Sequence, residues 1–108
     1  MVPLRQTETS RRDLVAQWVW YAENGGVELA DEFLQSVQQS LEILAKHPEM
    51  GVCVNSRHPK LQGIRRIAAS GKFRKVLLFY RCVEEEIVLL RVIRGERNLE
   101  RVLTESLM

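Results

Sequence analysis

The sequence predicts an α+β fold: an N-terminal helical hairpin packed on a small antiparallel β-sheet, with a short C-terminal helix. Three observations carry this. Two apolar stripes at helical spacing are joined by "ENGG"; an irregular stretch follows Pro48; and two nearly continuous apolar runs, "KVLLFYRCV" and "EIVLLRVI", are separated by glutamates. At 108 residues and 45% hydrophobic content, residues 1–108 form one domain with enough apolar side chain for a core.

The first helix is expected to start at "SRRD", with Ser10 as N-cap and Asp13 in the first turn near the helix's positive end. Leu14, Trp18, Tyr21 and Ala22 recur at helical spacing. The paired glycines Gly25 and Gly26 end it, because glycine accepts the left-handed backbone of a C-cap. Leu29, Ala30, Phe33, Val37, Leu41 and Leu44 form the stripe of a second helix, which Pro48 stops. So short a connection makes the two helices antiparallel neighbours.

"MGVCVNSRHPKLQG" lacks periodicity and carries Gly51, Pro59 and Gly63, so it reads as a loop. "IRRIAA" from Ile64 reads as a short strand. The two long apolar runs read as the sheet centre, covered on one face by the helices. "PLRQTE" gives a weak edge-strand signal. Asn98 is an N-cap candidate for a terminal helix bearing Leu99, Val102, Leu103 and Leu107.

Cys53 and Cys82 form no CxxC pair and no Cys/His cluster, which argues against a zinc site and a disulfide framework; no cofactor is expected. "MVPLRQTETSRRD" has no apolar signal-peptide core, and no apolar run approaches the roughly 18 residues of a membrane span. The expected location is the cytoplasm. The net charge of +2 hides a segregation. Between Gly51 and Val83 lie Arg57, Lys60, Arg65, Arg66, Lys72, Arg74, Lys75 and Arg81 without one Asp or Glu, while Glu23, Glu28, Asp31, Glu32, Glu42 and Glu49 belong to the N-terminal half. An anionic partner is therefore expected.

For acid–base chemistry the candidates are few. His47 stands at a helix end before a proline, a capping position, and His58 lies in the basic loop beside Arg57. Tyr80 falls mid-strand, where a core aromatic with a satisfied hydroxyl is the default. At about 100° per residue, Trp18 and Trp20 cannot share one helix face, so one of them is available to a partner. Alternation sets Arg65 and Arg66 on opposite faces of their strand. Arg91 interrupts "IVLLRVI" and must reach an edge or find a partner, since a buried lone guanidinium is costly. "RVIRGERN" then gathers Arg91, Arg94 and Arg97 around Gly95, expected to leave the sheet in a conformation other residues resist.

The order of helix hairpin, Pro-terminated loop, "LQGIRRI", "KFRKVLLFYR" and "IVLLRVIRGERNLERVL" resembles the ParE-type toxins of the RelE/ParE toxin–antitoxin superfamily, from about Thr9 to Leu103. Asp13-Leu14, Pro48 to Gly51, Gly63-Ile64-Arg65, Phe79-Tyr80-Arg81 and Arg91 to Gly95 carry it together. Relatives often have histidine where this chain has Arg94, which keeps the charge but not a histidine's chemistry.

The resemblance implies a plasmid-stabilisation toxin that blocks DNA gyrase, through its A subunit, without catalysis, and that a cognate antitoxin neutralises. It also implies a sheet order in which Arg65, Arg74, Lys75, Arg91, Arg94 and Arg97 converge, forming with Trp20 the surface for target and antitoxin. Two other readings stay open. In a ribosome-dependent mRNA endonuclease, Arg65, Arg74, Tyr80 and Arg91 would be the catalytic set. A non-toxic member would act only as a binding partner.

Overall fold

A computed structural model describes residues 1–54, 57–95 and Leu103. The chain begins with β1 (Leu4–Gln6), forms the helices α1 (Glu8–Gly25) and α2 (Val27–Lys46), and continues through β2 (Val52–Cys53), β3 (Ile64–Ala68), β4 (Val76–Val83) and β5 (Glu86–Arg94). The five strands make one sheet in the order β1-β5-β4-β3-β2.

The sheet is mixed rather than antiparallel, because β1 pairs parallel with β5 while every other pair is antiparallel. The expected loop after Pro48 also contains more order than its sequence suggests. Val52 and Cys53 pair with Arg66 and Arg65, and Pro59–Leu61 makes a single 3-10 turn capped by His58. Only backbone pairing with β3 makes Val52–Cys53 a strand, since two residues carry no periodicity.

Helix α1 starts earlier than expected. Thr7, not Ser10, is the N-cap: its Oγ1 accepts the Ser10 N–H, while the Ser10 hydroxyl donates to the Thr7 carbonyl from a buried position. Gly26 alone separates the helices. With φ +92° it serves as C-cap of one and N-cap of the next, a conformation that costs a side-chain-bearing residue far more than glycine.

Side-chain alternation divides the core by sheet face. On the helical face Val76, Leu78, Tyr80, Ile87, Leu89 and Val92 meet Phe33, Val37 and Leu44 of α2 and Tyr21 of α1. On the opposite face Leu61, Ile64, Phe79, Ile93 and Leu103 form a second buried cluster. A bulge interrupts β4–β5: Phe79 faces Arg91 but Tyr80 faces Leu89, so Leu90 is the extra residue. The β4–β5 turn is made by Glu84 and Glu85, both at positive φ. Of the expected terminal helix, Leu103 is the one described residue. Arg97 and Asn98 lie outside the described residues. Among those residues no helix is long and apolar enough to cross a membrane.

Candidate functional site: a basic rim at one end of the sheet

Among the described residues the expected convergence is partial: Arg74, Lys75 and Arg94 share one end of the sheet, while Arg65 and Arg91 stand elsewhere. Register sets Arg65 opposite Tyr80, and Val76 opposite Arg94. Four residues of strand, about 13 Å, therefore separate the Arg65–Tyr80 level from the end of the sheet that holds Arg74, Lys75 and Arg94.

At the inner level each polar group is consumed by the fold. Tyr80 is fully buried; its hydroxyl donates to the Pro48 carbonyl at 2.8 Å and accepts the Gly51 N–H at 2.9 Å. Burial pushes the phenol above its ordinary value, with the Gly51 N–H acting in the opposite direction. Arg65 lies on the same face and donates through Nη1 to the carbonyls of Glu49 and Gly51, at 3.1 and 2.8 Å. Tyr80 and Arg65 together fasten the turn after α2. Arg66 projects from the other face, as alternation requires, and is exposed.

Arg91 is likewise spoken for. Its Nε and Nη2 grip both carboxylate oxygens of Asp13, at 2.7 and 3.1 Å, and both side chains are largely buried. Arg65, Arg74, Tyr80 and Arg91 are thus held at separate places: two support backbone or a turn, one is locked in an ion pair, and Arg74 stands apart on the surface. His47 caps α2 through its backbone N–H, and His58 Nδ1 accepts the Lys60 N–H. Among the described residues no group of three or more His, Cys, Asp or Glu side chains stands ready for a metal ion.

The sheet end differs. Gly95 donates its N–H to the Lys75 carbonyl at 2.6 Å, closing the strands together, and is not among the described residues with positive φ. Its expected unusual conformation is therefore replaced by a continued ladder contact. Next to this closure Arg74 and Lys75 are exposed, and among the described residues neither has a carboxylate partner. The Arg94 guanidinium lies 3.9 Å from the centroid of the Trp20 ring and 5.1 Å from that of Tyr21. Its Nη2 is buried and has no hydrogen-bond partner among the described residues. Trp20 itself is 44% exposed, whereas Trp18 is half-buried with its Nε1 donating to Asp31. Of the two tryptophans, Trp20 is the one a partner can reach. The stacked pair of Trp20 and Arg94 was not legible in sequence, because the residues lie on different elements and meet only once α1 is laid along β5.

A helical hairpin laid on a small mixed sheet, with a cationic and aromatic rim at the sheet's end, makes this a small α+β fold with one exposed basic surface. A sequence profile for the ParE toxin of type II toxin-antitoxin system, parDE, matches residues 4–99. Toxin ParE1 of Caulobacter vibrioides is 30% identical over 98 residues, covering 91% of this chain and 94% of the relative. A structure of the chromosomal ParDE TA system from P. aeruginosa superposes with a TM-score of 0.72 at 25% identity, covering 89% of this chain and 98% of that one. The RelBE toxin-antitoxin complex of E. coli, at 14% identity and a TM-score of 0.53 over 90% of this chain and all of the other, shares the fold. The chain belongs to the ParE toxin family and is a toxin of the type II toxin–antitoxin class.

Proposed function

We propose that this toxin arrests growth by binding DNA gyrase in the cytoplasm, through the A subunit, without itself catalysing a covalent step, and that a cognate antitoxin neutralises it by covering the rim of Trp20, Arg74, Lys75 and Arg94. One observation carries the assignment of the surface. The exposed cations of this rim lack carboxylate partners among the described residues, whereas Arg65, Tyr80 and Arg91 are consumed by internal bonds. Arginine presents a planar fork suited to carboxylates, and a half-exposed tryptophan beneath it supplies the apolar anchor typical of interface hot spots. An antitoxin segment that orders on binding would meet both needs with an acidic and apolar stretch. Arg97, two residues beyond Gly95, extends the same positive charge in sequence.

The test is a gyrase supercoiling and cleavage-complex assay run beside ribosome-dependent mRNA cleavage with the purified protein. Inhibited supercoiling or accumulated cleaved DNA, with mRNA intact, is the expected result. Cut mRNA with unaffected gyrase would sink the gyrase reading and make the chain an endonuclease. Inactivity in both assays would leave a binding partner without toxicity.

A further inference from the structure

Helix α1 is apolar on two sides: Leu14, Trp18, Tyr21 and Ala22 pack on the core, yet its outer side is apolar as well. Its inward side carries the buried Ser10, the ion-paired Asp13, and Gln17, whose Oε1 is buried without a hydrogen-bond partner among the described residues. Its outward side carries Val15, Ala16, Val19 and Trp20, all exposed, with Val15 at 64% and Val19 at 40%. A helix on a globular surface ordinarily keeps its solvent side polar. Apolar residues grouped along one helix, rather than scattered singly, mark a surface that something covers.

The charges on that side say what covers it. Arg11 and Arg12 stand near the N-terminus of α1, Glu23 stands in its last turn, and no base occupies that turn. Both signs oppose the helix's own dipole; within the helix Arg12 is offset by its pair with Glu8, while Glu23 has no basic neighbour in its turn. They do suit a second helix running the other way with the same charges. Arg12, Ala16, Val19 and Glu23 follow the four-three-four spacing of a helix-packing seam. A two-fold axis between residues 17 and 18 sets Arg12 opposite Glu23 of the second copy, and Ala16 opposite Val19 of the second copy, twice over. The small Ala16 permits close approach, while Val15 and Trp20 border the seam.

We propose that the chain, when no other protein covers this face, pairs with a second copy of itself through antiparallel α1 helices. One helix seam buries less than the roughly 1,200 Å² of a standard stable interface, so the dimer is weak, with a dissociation constant on the order of ten micromolar. This goes beyond the gyrase and antitoxin reading and does not depend on it.

Sedimentation equilibrium on the purified full chain tests the pairing, across concentrations that bracket that constant. The expected result is a monomer–dimer equilibrium abolished by Val19→Asp. Arg12→Glu and Glu23→Arg should each weaken it by roughly tenfold, since each swap creates two like-charge contacts in a symmetric interface. The double swap R12E/E23R should restore it, which no partner other than a second copy of the same chain explains. Arg12 also pairs with Glu8, so circular dichroism must show unchanged helix content in each variant. A monomer at every concentration would overturn the proposal, as would a dimer indifferent to the swaps. A monomer whose Val19→Asp variant loses antitoxin binding would assign the stripe to the antitoxin instead.

Discussion

Asp13 and Arg91, 78 residues apart, form a two-pronged ion pair that closes the upper edge of β5. β1 covers only Ile87–Leu89 of that edge. Beyond it the Asp13 carboxylate takes over, accepting the Val92 N–H at 2.9 Å while it holds the Arg91 guanidinium. A helix side chain thus does the work of a strand, and the exposed backbone that invites foreign strands is blocked at that point.

Removing one partner of this pair strands the other. Asp13→Ala leaves a largely buried guanidinium and a β5 N–H without acceptors, and is expected to cost about 3 kcal/mol or more. Urea unfolding of Asp13→Ala, Arg91→Met and the double variant measures it. The double variant should be much less unstable than the sum of the two singles.

Tyr80 gives stability a pH dependence of known sign. Its folded pKa is raised by burial above the ordinary 10.0, so the folded protein keeps the phenol proton where the unfolded chain loses it. The contribution is complete below about pH 10 and fades as pH rises through the folded value. Thermal melts from pH 8 upward, to about pH 11, should show a decline in the native protein that is shallower in Tyr80→Phe. At neutral pH that variant should be less stable by about 1–3 kcal/mol, because the Pro48 carbonyl and Gly51 N–H lose their partner.

Gly51 is coupled to the same ring. A Cβ there would lie 2.7 Å from Tyr80 Cε1 and closer still to the hydroxyl, and a fully buried ring has nowhere to move. Gly51→Ala should destabilise by about 1–3 kcal/mol. Combined with Tyr80→Phe it should cost less than the two single losses together, read by denaturant midpoints.

The β4–β5 turn is open to improvement. Glu84 (φ 48°) and Glu85 (φ 67°) both occupy the left-handed region, where Asn-Gly is the favoured pair in a two-residue hairpin. Glu84→Asn with Glu85→Gly should raise stability by about 1 kcal/mol, seen as a higher melting temperature with the fold unchanged by circular dichroism.

The rim predicts a division among arginines. Arg74→Ala and Lys75→Ala should weaken antitoxin binding several-fold while leaving the melting temperature nearly unchanged, as exposed positions allow, and Trp20→Ala should weaken it too but lower the melting temperature through its lost stacking on Arg94 and Tyr21. Arg65→Ala, which releases the Glu49 and Gly51 carbonyls, should do the reverse. Calorimetric titration beside thermal melts separates the two.

Much of the architecture was legible because α2, β4 and β5 carry unbroken apolar signals. Helix α1 was recognisable from Leu14, Trp18 and Tyr21, but its start was misplaced: Thr7 and Ser10 are both competent caps, and burial of Ser10 decides between them. The edge strand expected in "PLRQTE" is present as β1, but its parallel pairing with a strand some 83 positions away is something no local pattern encodes. That Arg91 needed a partner followed from its apolar neighbours; that Asp13 would be the partner did not. The arginines looked convergent because sequence order hides strand register, and register set Arg65 and Arg94 at different levels of the sheet. The apolar outer side of α1 was concealed for a related reason. The stripe of Leu14, Trp18, Tyr21 and Ala22 already accounts for the core-facing side, so Val15 and Val19 on the other side draw no notice.

Because β1 and α1 both lean on β5, the order of synthesis matters. As the chain leaves the ribosome, the helical hairpin appears first with nothing to rest on: its sheet partners come later, and the carboxylate of Asp13 waits for residues 91 and 92. Strands β2 to β4 can pair among themselves, but the N-terminal strand, the β4–β5 ladder and the ion pair all wait for residues 86–94. A chain cut short before that stretch carries the tryptophan of the rim but not the arginine stacked on it. The cell that makes this toxin is exposed to its finished surface only after nearly the whole domain has been translated.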